Sequence, residues 1–406
     1  MSHAAIEQRI LDRLDGAVPS GSLPLVFVTG PRGSGRSRLL GRLAGRLAAR
    51  GVLPVPLDVE RVGASPQEFA CAMRDGLARA VALAGRPPLP HDGEPGRLQA
   101  ALEALLAGER VDACRLLEVA LALPHAVAQH ITKPIALVLD ELGELLPLSR
   151  HAGLRGLEDL LARSFAAGRR VGLIASVSPA SRAGSLLRRC EAAAAGGGRP
   201  FESIPLPPWS RDEVAAFFLS RAGHPLTGEL DLWMRATGGH PLHVEVLLRR
   251  FLEGPASLVE TLAAEMTPPA GALHLECRFD YHLLVERSRG HAAVRTVLHL
   301  IACNEHVTLT DVARHVRTAL PTAMDYLSWM MEVGLIRRDG RWYRMADPLL
   351  GLWVRLNGPD TPAPLEEAAR FLGASPVART SSILLPPESL PEPAPLSRGD
   401  FPMEID

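Results

Sequence analysis

The chain has 406 residues, 47% apolar and 22% charged, with a net charge of −1: a globular protein of two or three domains, without the overall positive field that gathers nucleic acid. Its five cysteines are scattered and odd in number, which argues against a zinc site or a disulfide framework and for a reducing compartment. No stretch reaches about 18 uninterrupted apolar residues and the N-terminus lacks an uncharged signal core, so the expectation is a cytoplasmic protein with no membrane contact.

In chain order, residues 5–15 have a helical pattern that stops at Gly16. PLVFVTG (24–30) is a short bulky apolar run of the kind that forms a buried parallel strand. After a glycine-rich loop, Leu39, Leu40, Leu43 and Leu47 recur at helical spacing as far as Gly51. A strand is expected at 52–59, helices near 66–84, 97–107 and 111–130, a buried strand at 135–142, a helix at 153–167 and a strand at 170–178. Residues 201–209 read as a last strand leaving the sheet. Strands alternating with helices imply an α/β unit, a parallel sheet with helices on both faces.

From about 210 the pattern turns helical. Ser210 and Glu213 have capping-box spacing, further helices are expected at 228–236 and 240–252, and a glycine pair before His240 marks a tight turn. Between 291 and 357 the order is helix, short extended piece, helix, longer helix and a hairpin turning at Asp339-Gly340, which is the order of a winged helix-turn-helix. The proline-rich stretch 358–406 reads as a disordered or loosely attached tail.

Two stretches carry chemistry. Gly30-Pro31-Arg32-Gly33-Ser34-Gly35-Arg36-Ser37, followed by Arg38, has the G-x-x-x-x-G-[basic]-[ST] spacing of a phosphate-binding loop between a strand and a helix. Glycines let backbone N–H groups curl around phosphate oxygens, the helix N-terminus adds positive dipole, and the Ser37 hydroxyl can ligate Mg²⁺. Further on, the strand IALVL delivers Asp140 and Glu141 at its C-terminal end, where open parallel sheets bind ligands. Asp140 suits the magnesium shell and Glu141 suits orienting and deprotonating a water; an acidic pair there also serves as a plain helix cap.

With these residues in view the chain resembles P-loop ATPases of the AAA+ and STAND type, above all the prokaryotic "archaeal ATPase" group, over about residues 5–357. The resemblance rests on the loop, on LVLDE, on Ser176 and Ser178 at the next strand's end, and on ATGGHPLHVEVLL and MADPLLGLWVRL. It implies an ATPase core at 1–207, a helical lid at 208–288 and a winged helix at 289–357, with 358–406 as tail. It also implies ATP and Mg²⁺ as cofactors, with Ser37 and Asp140 on the metal. Ser176, with Ser178 as a nearby alternative, would sense the γ-phosphate, or merely end its strand; His240 would sit in the lid motif near the nucleotide, or merely form a turn. Such enzymes often take a transition-state arginine from a neighbouring subunit or the lid, and Arg182, Arg188, Arg189 and Arg199, which follow the sensor strand, are candidates for it.

Arg36 departs from the family's lysine. Of 44 basic residues only Lys133 is lysine, so the arginine reflects a chain-wide skew. A guanidinium is nevertheless wider and planar beside migrating phosphate charge, so the expectation is nucleotide binding with weak hydrolysis, in a nucleotide-dependent switch that engages a partner. The longest helix of the winged unit, 321–333, has no arginine, lysine, asparagine or glutamine, which argues against base readout. Arg337, Arg338, Arg341 and Arg344 on the hairpin leave DNA backbone contact open, beside a solvated hairpin or an internal dock. A protein partner is expected through the winged helix or tail; the alternatives kept are a DNA-binding regulator or initiator-like protein, and a nucleotide-free scaffold presenting its helical domain and proline-rich tail to other proteins. A homo-oligomer is also left open.

Overall fold

The computed structural model describes residues 2–373, apart from 89–92, 109–111, 180–182, 227–228, 255–256, 268–270, 289–290, 305 and 359–361. The first unit runs α1 (His3–Ser20), β1 (Leu25–Thr29), α2 (Arg36–Ala48), β2 (Leu53–Asp58), α3 (Val59–Val62), α4 (Pro66–Leu83), α5 (Gly93–Ala107) and α6 (Ala113–His130). It continues with β3 (Ile135–Asp140), α7 (Leu157–Ala166), β4 (Val171–Val177), α8 (Gly184–Gly196) and β5 (Phe201–Pro205). All strand pairs are parallel, in the order β2-β3-β4-β1-β5.

The apolar runs form buried strands because both faces of the sheet are covered. Along β1, Leu25 and Phe27 join the layer built by α4, α6, α7 and α8, while Val26 and Val28 face α1 and α2. The helical spacing after the loop is used as expected: Leu39, Leu40, Leu43 and Leu47 are buried on the inner side of α2. β2 carries Pro54 and Pro56, which an edge strand tolerates because one row of its N–H groups has no ladder to join. The strand expected to leave the sheet, 201–209, instead pairs with β1 from Phe201 to Pro205 as the other edge.

The strand order positions the site. From β1 the chain crosses to the far edge at β2 and returns through β3 and β4, so β4 separates the loop after β1 from the acidic end of β3. β5 then adds on the other side of β1, and this reversal opens a crevice at the C-terminal ends of β1 and β4.

The remaining elements are α9 (Arg211–Ala222), α10 (Leu230–Thr237), α11 (Pro241–Leu252), α12 (Leu258–Met266), α13 (Ala272–Arg287), α14 (His291–Cys303), α15 (Leu309–Val316), α16 (Leu320–Glu332), the antiparallel hairpin β6 (Ile336–Asp339) and β7 (Trp342–Met345), α17 (Pro348–Leu356) and α18 (Pro364–Leu372). They share one apolar core extending from Phe218 to Leu372. The Ser210–Glu213 box caps α9, and the hairpin turns where Gly340 takes a φ of +60°. Part of the expected tail is therefore structured: α18 packs on α12 and buries Ala368, Ala369 and Leu372. The rest of that tail, 374–406, lies outside the described residues. No helix among the described residues is long and apolar enough to cross a membrane.

Candidate functional site

β1 ends in the glycine-rich loop, and two of its glycines are required by backbone shape. Gly33 and Gly35 have φ values of +73° and +91°, a region L side chains rarely enter. A Cβ at Gly33 would also stand 2.7 Å from His240 Cε1 and 2.9 Å from Leu242 Cβ, so the following helices press directly on the loop. Gly35 is the N-cap of α2, which makes Arg36 the first residue of that helix.

Arg36 is 3% exposed. Its Nη2 donates to Glu141 Oε1 in an ion pair, while its Nε and Nη1 are buried without a hydrogen-bond partner. Glu141 Oε2 and Ser34 Oγ beside it are also unpartnered. Buried donors of a charged group normally find partners, so these free donors mark a place suited to an anion.

The acid pair is shaped by β4. Ser176, 0% exposed, donates to Asp140 Oδ1 and accepts from the Glu141 N–H at 2.8 Å. The strand thereby fixes both acids just where Glu141 takes a left-handed φ of 51°, a strained choice for a side-chain-bearing residue. Ser176 thus sits behind the carboxylates and not in open space toward the loop. Asp58, at the end of β2, lies in register with Asp140. Burial, then the charge of Asp140, raises its carboxyl above the ordinary value. Two neighbouring carboxylates at strand ends, with the exposed Ser37 opposite, form a donor set that suits a hard divalent cation. Asp58 was not singled out from the sequence; its place at a strand's C-terminal end was the available signal. The loop and these acids line a cavity of about 510 Å³, within the usual size of small-molecule sites.

The helices after the sheet close over the loop. His240, N-cap of α11, places Nε2 2.8 Å from Arg32 O, and the Leu242 N–H donates to Gly33 O at 3.3 Å. Burial, then the neighbouring His243, pushes His240 down to about 4, so the ring is neutral near pH 7 and its Nε2 carries the proton toward the carbonyl. Arg32 pairs with Glu60 at 3.1 Å and Glu276 at 3.5 Å, and Arg38 with Glu245 at 2.9 Å. The His240 and His243 rings lie 4.0 Å apart, and His243 reaches Asp347, the N-cap of α17, at 3.7 Å. This contact line joins the loop to the helix after the hairpin. A second cavity, about 450 Å³, lies beside it between His240, Glu141, Asp280, Leu335 and Leu350. Within it, burial and then Glu276 push Asp280 up to about 7.

The sequence-proposed transition-state arginines do not gather at the loop. Arg199 is buried at the opposite end of the sheet, donating to Phe165 O, Leu23 O and Val171 O. Arg189 is held by Glu158 and Asp159, Arg188 lines a separate hollow with Glu158, and Arg182 lies outside the described residues. On the hairpin, Arg344 faces Asp339 at 3.8 Å, Arg338 donates to Gly340 O at 2.8 Å, and Arg341 stacks 4.3 Å over Trp342. Arg337, Arg338 and Arg341 are exposed.

Comparisons with known proteins fit this geometry. Residues 6–173 match the AAA ATPase domain family. Among solved structures, the Walker-type ATPase of Pyrococcus abyssi superposes with a TM-score of 0.60 at 15% identity, over 86% of this chain and 94% of that one. The ORC2 protein of Aeropyrum pernix, solved in ADPNP-ADP complexes, gives a TM-score of 0.49 at 15% identity, over 91% of this chain and 93% of that one. At 15% identity the likeness to the Pyrococcus abyssi protein is one of fold alone. A search of curated proteins finds no match.

Proposed function

Taking residues 6–173 as an AAA ATPase domain, we propose that the chain binds Mg-ATP at the glycine loop and acts as a nucleotide-dependent switch with slow hydrolysis. The backbone of Gly30 to Ser37 and the Arg36 guanidinium would hold the phosphates, with Ser37 and Asp140 on the cation. The nucleotide, when bound, supplies the phosphoanhydride whose cleavage resets the switch. Free donors on Arg36 and the Asp140–Asp58 pair support both halves of this fit.

The observation that carries the reading is the Arg36–Glu141 ion pair. A guanidinium is a fork: one nitrogen of Arg36 is engaged by Glu141 while Nε and Nη1 remain to hold an anion. Arg36 can therefore take part in binding without releasing Glu141. Glu141, however, spends one carboxylate oxygen on Arg36, which is not then open to orient a water. Binding survives and turnover suffers. The His240, His243 and Asp347 contacts give the loop a route to α17, so a change at the loop is felt beside the hairpin. Calorimetry with millimolar Mg-ATP tests the reading; no heat of binding would reject it.

A second reading has its own observation: three exposed arginines around Trp342, beside an α16 without basic residues, suit phosphate-backbone contact by the hairpin. Salt-sensitive binding to random duplex, lost in Arg338→Ala with Arg341→Ala, would support it; salt-insensitive binding or none would remove it.

A further inference from the structure

On the far side of α13 and α17 from the nucleotide loop lies a cavity of about 390 Å³ that the reading above leaves unused. Arg295, His299 and His315 line it together with the rings of Tyr281 and Trp353 and the amide of Asn357, and no carboxylate is among its lining residues. Elsewhere arginines commonly meet carboxylates: Arg9 and Arg13 share Glu202, and Arg42 and Arg46 share Glu7. Arg295 has no carboxylate partner among the described residues, and its charge only partly offsets the burial that raises the Tyr281 hydroxyl above its ordinary value. The Tyr281 and Trp353 rings sit 5.1 Å apart at 48°, and Trp353 is fixed from behind by donating its Nε1 proton to His274 Nδ1 at 3.1 Å. His299 is fixed as well, wedged so that a Cβ on Gly358 would come within 2.5 Å of its Nε2.

We infer that this cavity is a second ligand site, for a small organic anion whose planar ring lies against Tyr281 and Trp353 and whose carboxylate or phosphate meets Arg295, His299 and His315. An unpaired guanidinium beside two imidazoles supplies the anion contact, and a rigid aromatic wall supplies ring contact at low entropic cost. The same two helices wall both cavities: α13 presents Asp280 to the nucleotide side and Tyr281 to this one, and α17 presents Leu350 and Trp353 in the same way. A ligand here therefore bears on elements that border the loop. The inference does not depend on nucleotide binding, so the two can fail separately.

The test titrates the full chain with benzoate by ligand-observed NMR, and with benzylamine as the same ring of opposite charge. Saturable benzoate binding with a Kd of about 1 mM or tighter is expected, with none for benzylamine. Arg295→Glu and His315→Glu, both at exposed positions and so compatible with folding, should each weaken benzoate at least about tenfold, while Arg36→Ala changes it less than about twofold. Absence of saturable benzoate binding, equal binding of benzylamine, indifference to both glutamate variants, or loss in Arg36→Ala would overturn the assignment.

Discussion

Two buried arginines stand at opposite ends of one sheet, and their partners set them apart. Arg199, at the N-terminal ends of the strands, gives its hydrogen bonds to three backbone carbonyls, and burial pulls its guanidinium down to about 10. It ties the end of α7, the start of β4 and the segment before β1 together. Arg36, at the C-terminal ends, meets the Glu141 carboxylate and leaves its Nε and Nη1 without a partner. Burial of a charge is common to both. Arg199 spends three bonds on backbone and leaves only Nε unpartnered, whereas Arg36 makes one bond and leaves both Nε and Nη1.

The comparison is broken or sharpened most strongly at the staple. Arg199→Met leaves three carbonyls without partners, and at about 1–3 kcal/mol for each unsatisfied group the fold should lose about 3–5 kcal/mol, read from urea unfolding. A loss below about 1 kcal/mol would mean that the two arginines do not differ in this way.

Next in size is the pH dependence beside the loop. Asp280 holds its proton up to about 7 in the fold against an ordinary 3.8, so the unfolded chain releases a proton that the fold keeps, and stability falls as pH rises from about 4 to 7. Asp280→Asn should therefore stabilise by about 2 kcal/mol at pH 8 and by little at pH 4, seen as a pH-dependent difference in Tm. His240 has the opposite sign: lowered to about 4 from 6.5, it contributes stability above the upper value that is lost as pH falls toward the lower one. His240→Asn should flatten that acid limb.

A smaller effect is expected at the acid pair. Asp140→Ala should weaken Mg-ATP by about tenfold or more in calorimetry, with little change when magnesium is withheld. The smallest is at the hairpin, where Arg341→Ala removes an exposed cation–π contact and should cost about 0.5 kcal/mol or less in thermal unfolding.

The sheet end that carries the glycine loop was more legible in the sequence than the end that Arg199 staples. Glycines at fixed spacing after an apolar run, and two acids ending another, are local signals, and the structure brings both to one crevice. Arg36 reaching Glu141, Asp58 lying beside Asp140, and Arg199 reaching three carbonyls depend on strand order, which no local pattern contains. The helices at Gly184–Gly196 and Ala272–Arg287 went unread for another reason. In the first, a run of alanines blurs the stripe of Leu186, Cys190 and Ala194, and the second spreads its apolar residues around the axis. α18 was hidden by the prolines around it, although Pro364 stands at its first turn, where proline is tolerated.

The central claim, that Arg36 allows binding while it holds Glu141 back, is tested most directly by Mg-ATP affinity and turnover of the native chain beside Arg36→Lys. The account predicts measurable binding in both and faster turnover in the lysine variant, because a shorter, compact ammonium on the phosphates releases Glu141 to a water. Equal turnover in the two proteins, or no Mg-ATP binding by the native chain at millimolar nucleotide, would contradict it.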